Sequence, residues 1–200
     1  MGVQLWGVQL DRSFTEQEEA ELLRHLPTDR ADRLLRLRDP QKRQEPLAAY
    51  GLLRLALFQT CGLTELPSIS YGENGKPDLA ESPALHFNLS HTNGAVLVGL
   101  SEAPVGVDIE RRRPVSRWVK ERLAAEKRTE EQYFRDWVCY EAWVKRSGEG
   151  VRTHHAQPDP SLVEEVELFP GFFSAVSGSG AACIRYRGTV DSLLTALKQI

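Results

Sequence analysis

The spacing of hydrophobic and polar residues predicts strands and helices in an order that repeats once along the chain. Apolar residues alternate with a period of two in the predicted strands and recur every three or four residues in the predicted helices. In the first half these elements are a strand at 3–10, helices at 16–26, 28–38 and 47–60, and strands at 68–71, 86–89 and 95–101. In the second half they are a strand at 105–110, helices at 116–124 and 126–145, strands at 166–169, 172–176 and 182–186, and a helix at 190–198.

This repeated order predicts an α+β fold made of two similar α/β lobes in a pseudo-two-fold arrangement. Each lobe is expected to be a small, mostly antiparallel sheet packed on helices, with lobes at 1–103 and 104–200 that meet near Pro104. Glycine and proline predict a loop at 148–160 and a hairpin turn at 178–180.

The composition excludes several classes of protein. The chain has 200 residues, of which 41% are hydrophobic and 26% charged, as in ordinary globular proteins. Its apolar runs are shorter than the roughly 20 residues that cross a bilayer, and the start lacks a signal-peptide pattern, so a cytoplasmic protein without a membrane segment is expected. Three scattered cysteines predict neither disulfides nor a zinc site, and a net charge of −3 argues against general nucleic-acid binding.

Two carboxylates one residue apart end the strand at 105–110. Asp108 and Glu110 share one face of that strand, because successive side chains point to opposite faces. Their mutual repulsion would be relieved by a hard cation such as Mg²⁺. The alternative is an ordinary strand end that runs into the solvated arginines at 111–113.

A third carboxylate, Glu141, falls on the apolar stripe of the helix at 126–145. A carboxylate that faces a core is costly unless it is paired or binds a metal. Lys145 lies four residues further on, so an ion pair along the helix is as good an explanation as metal binding.

Two shorter motifs carry polar groups suited to phosphate. Lys76 stands between Gly75 and Pro77 in a turn-rich segment, and Asn88-Leu89-Ser90-His91 ends a strand. Lysine, serine and histidine all donate hydrogen bonds to phosphate oxygens. An ordinary turn and a capped hairpin are the alternatives. A Ser–His hydrolase is disfavoured, since adjacent side chains on a strand diverge and the nucleophile-elbow motif is missing.

Taken in order, four motifs resemble the 4′-phosphopantetheinyl transferase superfamily, and its two-lobed type in particular. They are G-K-P at 75–77, F-N-L-S-H at 87–91, G-V-D-I-E at 106–110 and W-x-x-x-E-A-x-x-K at 137–145. The resemblance implies Mg²⁺-dependent transfer of 4′-phosphopantetheine from coenzyme A to a serine of an apo acyl or peptidyl carrier protein. The other product would be adenosine 3′,5′-bisphosphate. A monomer is expected by the same resemblance.

The resemblance also implies roles for individual residues. The metal ligands would be Asp108, Glu110 and Glu141, and the catalytic residues Glu141, Lys145 and His91. Coenzyme A would be bound by Arg43, Lys76, Pro77, Asn88, Ser90, His91 and Lys145, with Arg43 at the 3′-phosphate and further basic contacts near Arg30 and Arg33. Glu141 would accept the serine proton either directly or through a metal-bound water.

Two further features bear on this interpretation. Tyr140 stands where the family usually has lysine, which leaves open a non-catalytic module that binds coenzyme A or a carrier protein. The basic and apolar segment that follows the metal strand is a candidate docking surface for acidic carrier proteins, with a solvated helix face as the alternative. Its named residues are Arg111, Arg112, Arg113, Arg117 and Trp118. Nuclease activity would use the same acids but leaves G-K-P and N-L-S-H unexplained.

Overall fold

Three sheets and six α-helices make up the described part of the chain, which in this computed structural model comprises residues 2–72, 74–80, 84–123, 128–150 and 158–200. The strands are β1 (Gln4–Gln9), β2 (Ile69–Tyr71), β3 (Pro77–Leu79), β4 (His86–Thr92), β5 (Ala95–Ser101), β6 (Gly106–Arg111), β7 (Val163–Glu165), β8 (Phe172–Ser177) and β9 (Cys183–Thr189). The helices are α1 (Glu16–Arg24), α2 (Thr28–Leu35), α3 (Gln41–Cys61), α4 (Arg117–Arg122), α5 (Glu130–Ser147) and α6 (Val190–Leu197), with a 3₁₀ turn at Pro160–Leu162. The predicted α+β class is confirmed.

The largest sheet has the strand order β4-β5-β1-β9 and packs on α3. Its pairs are antiparallel except for β1 with β9, which run parallel. Strand β9 and helix α6 come from the end of the chain, yet β9 pairs with β1 in this first sheet and α6 packs on α3. The long helix therefore has sheet on one side and α6, α1 and α2 around it.

The second sheet has the order β6-β8-β7, is antiparallel, and packs on α5. A two-stranded sheet of β2 and β3 lies beside β4. Buried side chains of β1, β5, β6 and β8 form one apolar cluster that joins the two larger sheets. This shared cluster fixes β6, and with it the two carboxylates of that strand, against β1 and β5.

The two long helices have clear end signals. Thr129 caps α5 in a reciprocal pair with Gln132, and Gly148 ends the helix in the left-handed region with φ 76°. Helix α3 ends at Gly62, as predicted, but it begins at Gln41 rather than at residue 47. The Asp39 carboxylate accepts from the Gln41 N–H at 3.0 Å, so one of the free N–H groups at the helix start is satisfied, and Pro46 lies in the second turn.

Three predictions of secondary structure were wrong or incomplete. Residues 166–169 are not a strand, because the Phe172 N–H bonds to the Phe169 carbonyl oxygen (3.2 Å) in a turn that leads into β8, and the strand that pairs with β8 here is β7, at Val163–Glu165. The turn at 178–180 does not make a hairpin, since β8 and β9 belong to different sheets. Gly178 crosses so close to Val3 that a Cβ would stand 2.4 Å from a valine methyl. Strand β3 was missed.

Parts of two predicted segments lie outside the described residues. They are 151–157 of the loop predicted at 148–160, and 124–127, where one predicted helix ends and the next begins. No helix in the described ranges combines the length and the apolar character needed to cross a membrane.

Candidate active site

Strands β4 and β6 are joined by side chains of β4 rather than by backbone hydrogen bonds. Three alternate residues of β4 each accept a hydrogen bond from a backbone N–H of β6. The pairs are Asn88 Oδ1 with Val107 N (2.8 Å), Ser90 Oγ with Ile109 N (3.2 Å) and Thr92 Oγ1 with Arg111 N (3.4 Å). These bonds hold the two strands in one register and join the two larger sheets.

The same β4 side chains fix the carboxylates of β6. Ser90 Oγ donates to Asp108 Oδ1 at 2.9 Å, and Thr92 Oγ1 donates to Glu110 Oε2 at 3.3 Å. Asp108 is only 2% exposed, and its Oδ2 is buried without a hydrogen-bond partner among the described residues. One face of β6 therefore presents two oriented acids, as the alternation predicted.

Helix α5 brings Glu141 and Lys145 to these acids. Lys145 Nζ lies 2.5 Å from Asp108 Oδ1, 3.1 Å from Ser90 Oγ and 3.4 Å from Glu141 Oε2. The close approach of α5 depends on Gly106, where a Cβ would stand 2.0 Å from the Ala142 carbonyl oxygen. The predicted ion pair between Glu141 and Lys145 is thus present, but Asp108 is the nearer partner of the lysine.

Burial and like charge perturb the acids of this cluster. Burial, followed by the negative charge of Asp108, raises the pKa of Glu141 to about 7. The same two causes raise the pKa of Glu110, although Arg113 opposes the shift. Burial alone would lower the pKa of Lys145, but Asp108 and Glu141 outweigh it and the net shift is upward. Carboxylates with raised pKa values beside a cation are typical of functional sites.

A hard cation fits the chemistry of these donors. Asp108, Glu110 and Glu141 offer only oxygen ligands, and Asp108 Oδ2 is a buried acceptor to which no donor in the described part of the chain bonds. As placed, however, no three His, Cys, Asp or Glu side chains in the described ranges are grouped closely enough to hold a metal ion. Lys145 lies between Asp108 and Glu141 instead, so a cation would have to share or displace its contacts.

The remaining motifs line one cavity of about 240 Å³ beside this cluster, here called the seam cavity. Its walls are Asn74, Gly75, Lys76, Pro77, Asn88, Leu89, Val144, Lys145, Gly148 and Gly150. Lys76 Nζ donates to the carbonyl oxygens of Arg146 (2.7 Å) and Val105 (3.2 Å), and burial lowers its pKa. Lys76 thereby ties the end of α5 to the start of β6, a contact that the sequence did not predict.

Arg43 and His91 are each paired with a carboxylate in the first half of the chain. Arg43 Nε donates to Glu19 Oε1 at 2.5 Å, and His91 Nδ1 lies 3.1 Å from Glu45 Oε2. Neither glutamate was identified from the sequence. Nothing in their spacing marks them, because Glu19 is on α1, Glu45 on α3 and His91 on β4.

Curated proteins that are similar to this chain are 4′-phosphopantetheinyl transferases. No family model matches the chain. The 4′-phosphopantetheinyl transferase Sfp of Bacillus subtilis is 24% identical over 204 residues, which cover 87% of this chain and 91% of Sfp. The transferase HetI of Nostoc is 29% identical over 83% of this chain and 73% of HetI. The transferase AcpT of Escherichia coli is 42% identical over 87 residues, 42% of each chain.

The chain belongs to the 4′-phosphopantetheinyl transferase superfamily. The two most extensive of these alignments span most of both chains, and the four motifs that carry the resemblance meet at one place in the fold. The predicted family and enzyme class are confirmed.

The position that departs from the motif of the superfamily is buried in this transferase. Tyr140 is 4% exposed and stacks on Trp137 with ring centroids 5.8 Å apart. Its hydroxyl accepts hydrogen bonds from Arg122 Nε (3.0 Å) and Nη2 (2.5 Å), and the guanidinium lies 5.4 Å from the ring centre. The positive charge next to residue 140 therefore comes from Arg122 of α4. Neither the sequence spacing nor the helical stripe indicated this pair.

The basic segment around α4 lies on the surface of the transferase. Trp118 is 49% exposed and meets Trp137 edge to face at 5.3 Å. Three of the arginines make surface ion pairs with glutamates: Arg112 with Glu131 (3.3 Å), Arg113 with Glu110 (3.2 Å) and Arg117 with Glu121 (2.6 Å). Arg113 thus connects this surface directly to a predicted metal ligand.

Proposed function

We propose that this chain transfers the 4′-phosphopantetheine group from coenzyme A to a serine of an apo acyl or peptidyl carrier protein. The observation that carries the proposal is the meeting of Asp108, Glu110, Glu141 and Lys145 beside the seam cavity, which holds the G-K-P motif and Asn88. The names of the relatives support the reaction, and they act as 4′-phosphopantetheinyl transferases. Adenosine 3′,5′-bisphosphate would leave when coenzyme A is the donor.

The chain's own groups supply the steps of a phosphoryl-type transfer. The serine oxygen attacks the phosphorus that bears the pantetheine arm, a new P–O bond forms, and the bond to the nucleotide phosphate breaks. Glu141 accepts the serine proton, a role supported by its raised pKa of about 7. Lys145 and His91 neutralise the charge that develops on the phosphate oxygens.

Asp108, Glu110 and Glu141 would hold Mg²⁺. When bound, the ion would neutralise the pyrophosphate of coenzyme A. Lys76, Pro77, Asn88 and Ser90 are proposed to line the coenzyme A site from the side of β3 and β4. In this structure Asn88 and Ser90 also bond to β6, so they would shape the site as well as contact the substrate.

The carrier protein is proposed to dock on the surface formed by Arg111, Arg112, Arg113, Arg117 and Trp118. Four guanidinium groups around an exposed indole suit an acidic partner with an apolar contact point. The double variant Arg113→Glu/Arg117→Glu should raise the KM for an acidic carrier protein at low salt and leave the KM for coenzyme A unchanged. A carrier KM equal to that of the wild type would contradict this surface.

The decisive experiment is mass spectrometry of an apo carrier protein incubated with the chain, coenzyme A and Mg²⁺. A mass gain of one phosphopantetheine group on the serine supports the proposed function. No gain across several carrier proteins, together with tight binding of coenzyme A, would instead favour a non-catalytic binding module. Omitting Mg²⁺ and adding EDTA tests the metal requirement in the same assay, and Mn²⁺ is the natural replacement ion.

The assembly and location follow from the same proposal. One chain supplies every residue of the proposed site, so the active unit is proposed to be a monomer, which light scattering after gel filtration would test. The three cysteines are free, as expected for the reducing cytoplasm, where we place the reaction.

A further inference from the structure

Arg43, predicted to contact the 3′-phosphate of coenzyme A, and His91, predicted to bind coenzyme A, are already paired with carboxylates. Arg43 donates to Glu19 and, through Nη1, to the Leu37 carbonyl oxygen at 2.5 Å. The side chains of Arg43 and Glu19 are only 14% and 11% exposed. His91 is paired with Glu45, a residue of α3. A carboxylate only accepts hydrogen bonds at neutral pH, so Nδ1 of His91 carries the proton of that bond.

A third basic group of this region is engaged in the same way. Arg30 donates from Nη2 to Asp29 Oδ2 at 2.7 Å and from Nη1 to the Tyr71 hydroxyl. Its guanidinium also lies 4.6 Å from the centre of the Tyr71 ring. Arg30, Arg43 and His91 each have an acid at hydrogen-bond distance, which offsets the positive charge of the two guanidinium groups and occupies one nitrogen of the imidazole.

This arrangement opposes a dianionic group at the 3′ position. A phosphate approaching His91 or Arg43 would meet Glu45 or Glu19 as well, and like charges repel. Withdrawing Arg43 from Glu19 would leave a nearly buried carboxylate without its partner, which is costly. A 3′-hydroxyl is neutral and can donate a hydrogen bond to a carboxylate, so it is compatible with the same residues.

We propose that Glu45, with Glu19, removes the requirement for the 3′-phosphate, so that the chain uses 3′-dephospho-coenzyme A about as well as coenzyme A. This inference rests on the proposed function, because it names the donor that the transfer accepts. The bonds made and broken at the reacting phosphorus are unchanged. The serine proton still passes to Glu141, and the leaving group becomes adenosine 5′-monophosphate.

The test compares kcat/KM for the two donors in the carrier modification assay. We expect the wild type to favour coenzyme A by less than about tenfold, the size of one charge interaction near a protein surface. Glu45→Gln keeps the shape of the side chain, removes its charge and should raise the preference for coenzyme A several-fold, mainly through a lower KM for coenzyme A. A wild-type preference above a hundredfold, or a ratio unchanged by Glu45→Gln, would overturn the inference.

A matched control is available on α1. Glu21 accepts from a histidine in the same manner, with Oε1 3.3 Å from His25 Nε2, and it lines a separate cavity of about 460 Å³ between α1, α3 and α6. Glu21→Gln removes the same charge from a glutamate–histidine pair outside the proposed site. The donor ratio should stay at its wild-type value in this variant, and a change equal to that of Glu45→Gln would contradict a local role for Glu45.

A binding measurement separates this inference from the proposed function. Calorimetric titration with adenosine 3′,5′-bisphosphate and with adenosine 5′-monophosphate requires neither a carrier protein nor turnover. Similar affinities for the two nucleotides support the inference, whereas a hundredfold advantage for the bisphosphate contradicts it. If neither donor modifies any carrier protein, the proposed function fails, and the ratio of nucleotide affinities still decides whether the site discriminates at the 3′ position.

Discussion

Helices α3 and α5 each pack against one of the two larger sheets, but they bury different chemistry. The interior of α3 is almost entirely leucine and alanine, and its buried Arg54 donates to a backbone carbonyl, that of Thr64, at 2.8 Å. Helix α5 carries Glu141 and Lys145 into the neighbourhood of the buried Asp108. The buried arginine of α3 is thus satisfied by the fold itself, whereas Glu141 of α5 lies near the like-charged Asp108 and Glu110 of β6, and burial followed by the charge of Asp108 raises its pKa. Like charges brought together in a buried cluster indicate a site built for a ligand.

We expect the largest effect on the transfer rate from removing the charge of Glu141, the residue of α5 to which we assign the role of general base. Glu141→Gln should lower the rate of carrier modification by about 10²- to 10⁴-fold, the usual contribution of a general base. The thermal transition should stay close to that of the wild type, because glutamine fills the same space. Single-turnover mass spectrometry measures the rate. Activity within a few-fold of the wild type would remove Glu141 from the role of base.

Two glycines test how closely α5 and α3 must approach their neighbours: Gly106 of β6, which contacts α5, and Gly51 of α3. A Cβ at Gly106 would meet backbone atoms of α5, at 2.0 Å from Ala142 O and 2.4 Å from Arg146 N. Gly106→Ala should therefore cost more than the roughly 1–3 kcal/mol typical of overpacking and should also impair transfer. The measurement is denaturant unfolding together with the transfer rate.

The control for this prediction lies on α3. A Cβ at Gly51 would meet the ends of leucine side chains: Leu22 and Leu197, both at 3.3 Å, and Leu193 at 3.8 Å. Gly51→Ala should change the stability by less than about 1 kcal/mol, because the higher helix propensity of alanine offsets the tight contacts. Equal losses of stability in Gly51→Ala and Gly106→Ala would contradict this prediction, because they would mean that β6 and α5 can move apart without a cost in stability.

The raised pKa of Glu141 predicts a smaller, pH-dependent effect in protein freed of divalent cations. The pKa is about 7 in the folded chain against an ordinary value of 4.5, so the folded state holds the proton more tightly. This contribution to stability is fully present below pH 4.5 and is lost as the pH rises to about 7. Glu141→Gln should flatten the melting temperature over this range relative to the wild type. Parallel curves for the two proteins would contradict the shift.

The sequence predicted those features that depend on local periodicity. Strand β5 was placed at its observed bounds, and the shared face of Asp108 and Glu110 followed from the alternation in β6. The long apolar helix was predicted, but its start was placed too late, because proline is typical of the first turn of a helix and Pro46 lies in the second turn here. The Asp39 carboxylate, which accepts from the Gln41 N–H, lies just before the observed start. The motifs that resemble the superfamily lie far apart in the chain but close together at the seam cavity, and their roles stay predictions.

Contacts between distant elements could not be predicted in this way. The hydrogen bonds from backbone N–H groups of β6 to side chains of β4 require the register of two strands that are not neighbours in a backbone ladder. Even so, the polar residues at the alternate positions Asn88, Ser90 and Thr92 of β4 were a usable signal. The pairing of Lys76 with the end of α5, and of Glu45 with His91, depends on tertiary packing alone.

The parallel pairing of β9 with β1 has a consequence for biosynthesis. The first strand of the largest sheet finds one of its two neighbours only after residue 189 has left the ribosome, when the rest of that sheet has long been made. An unfinished chain therefore exposes one edge of β1, and an exposed strand edge is a template for pairing with other chains. Folding of the first half is thus tied to the completion of the second, and a gene split near residue 104 would yield an N-terminal fragment prone to aggregation unless its complement is supplied.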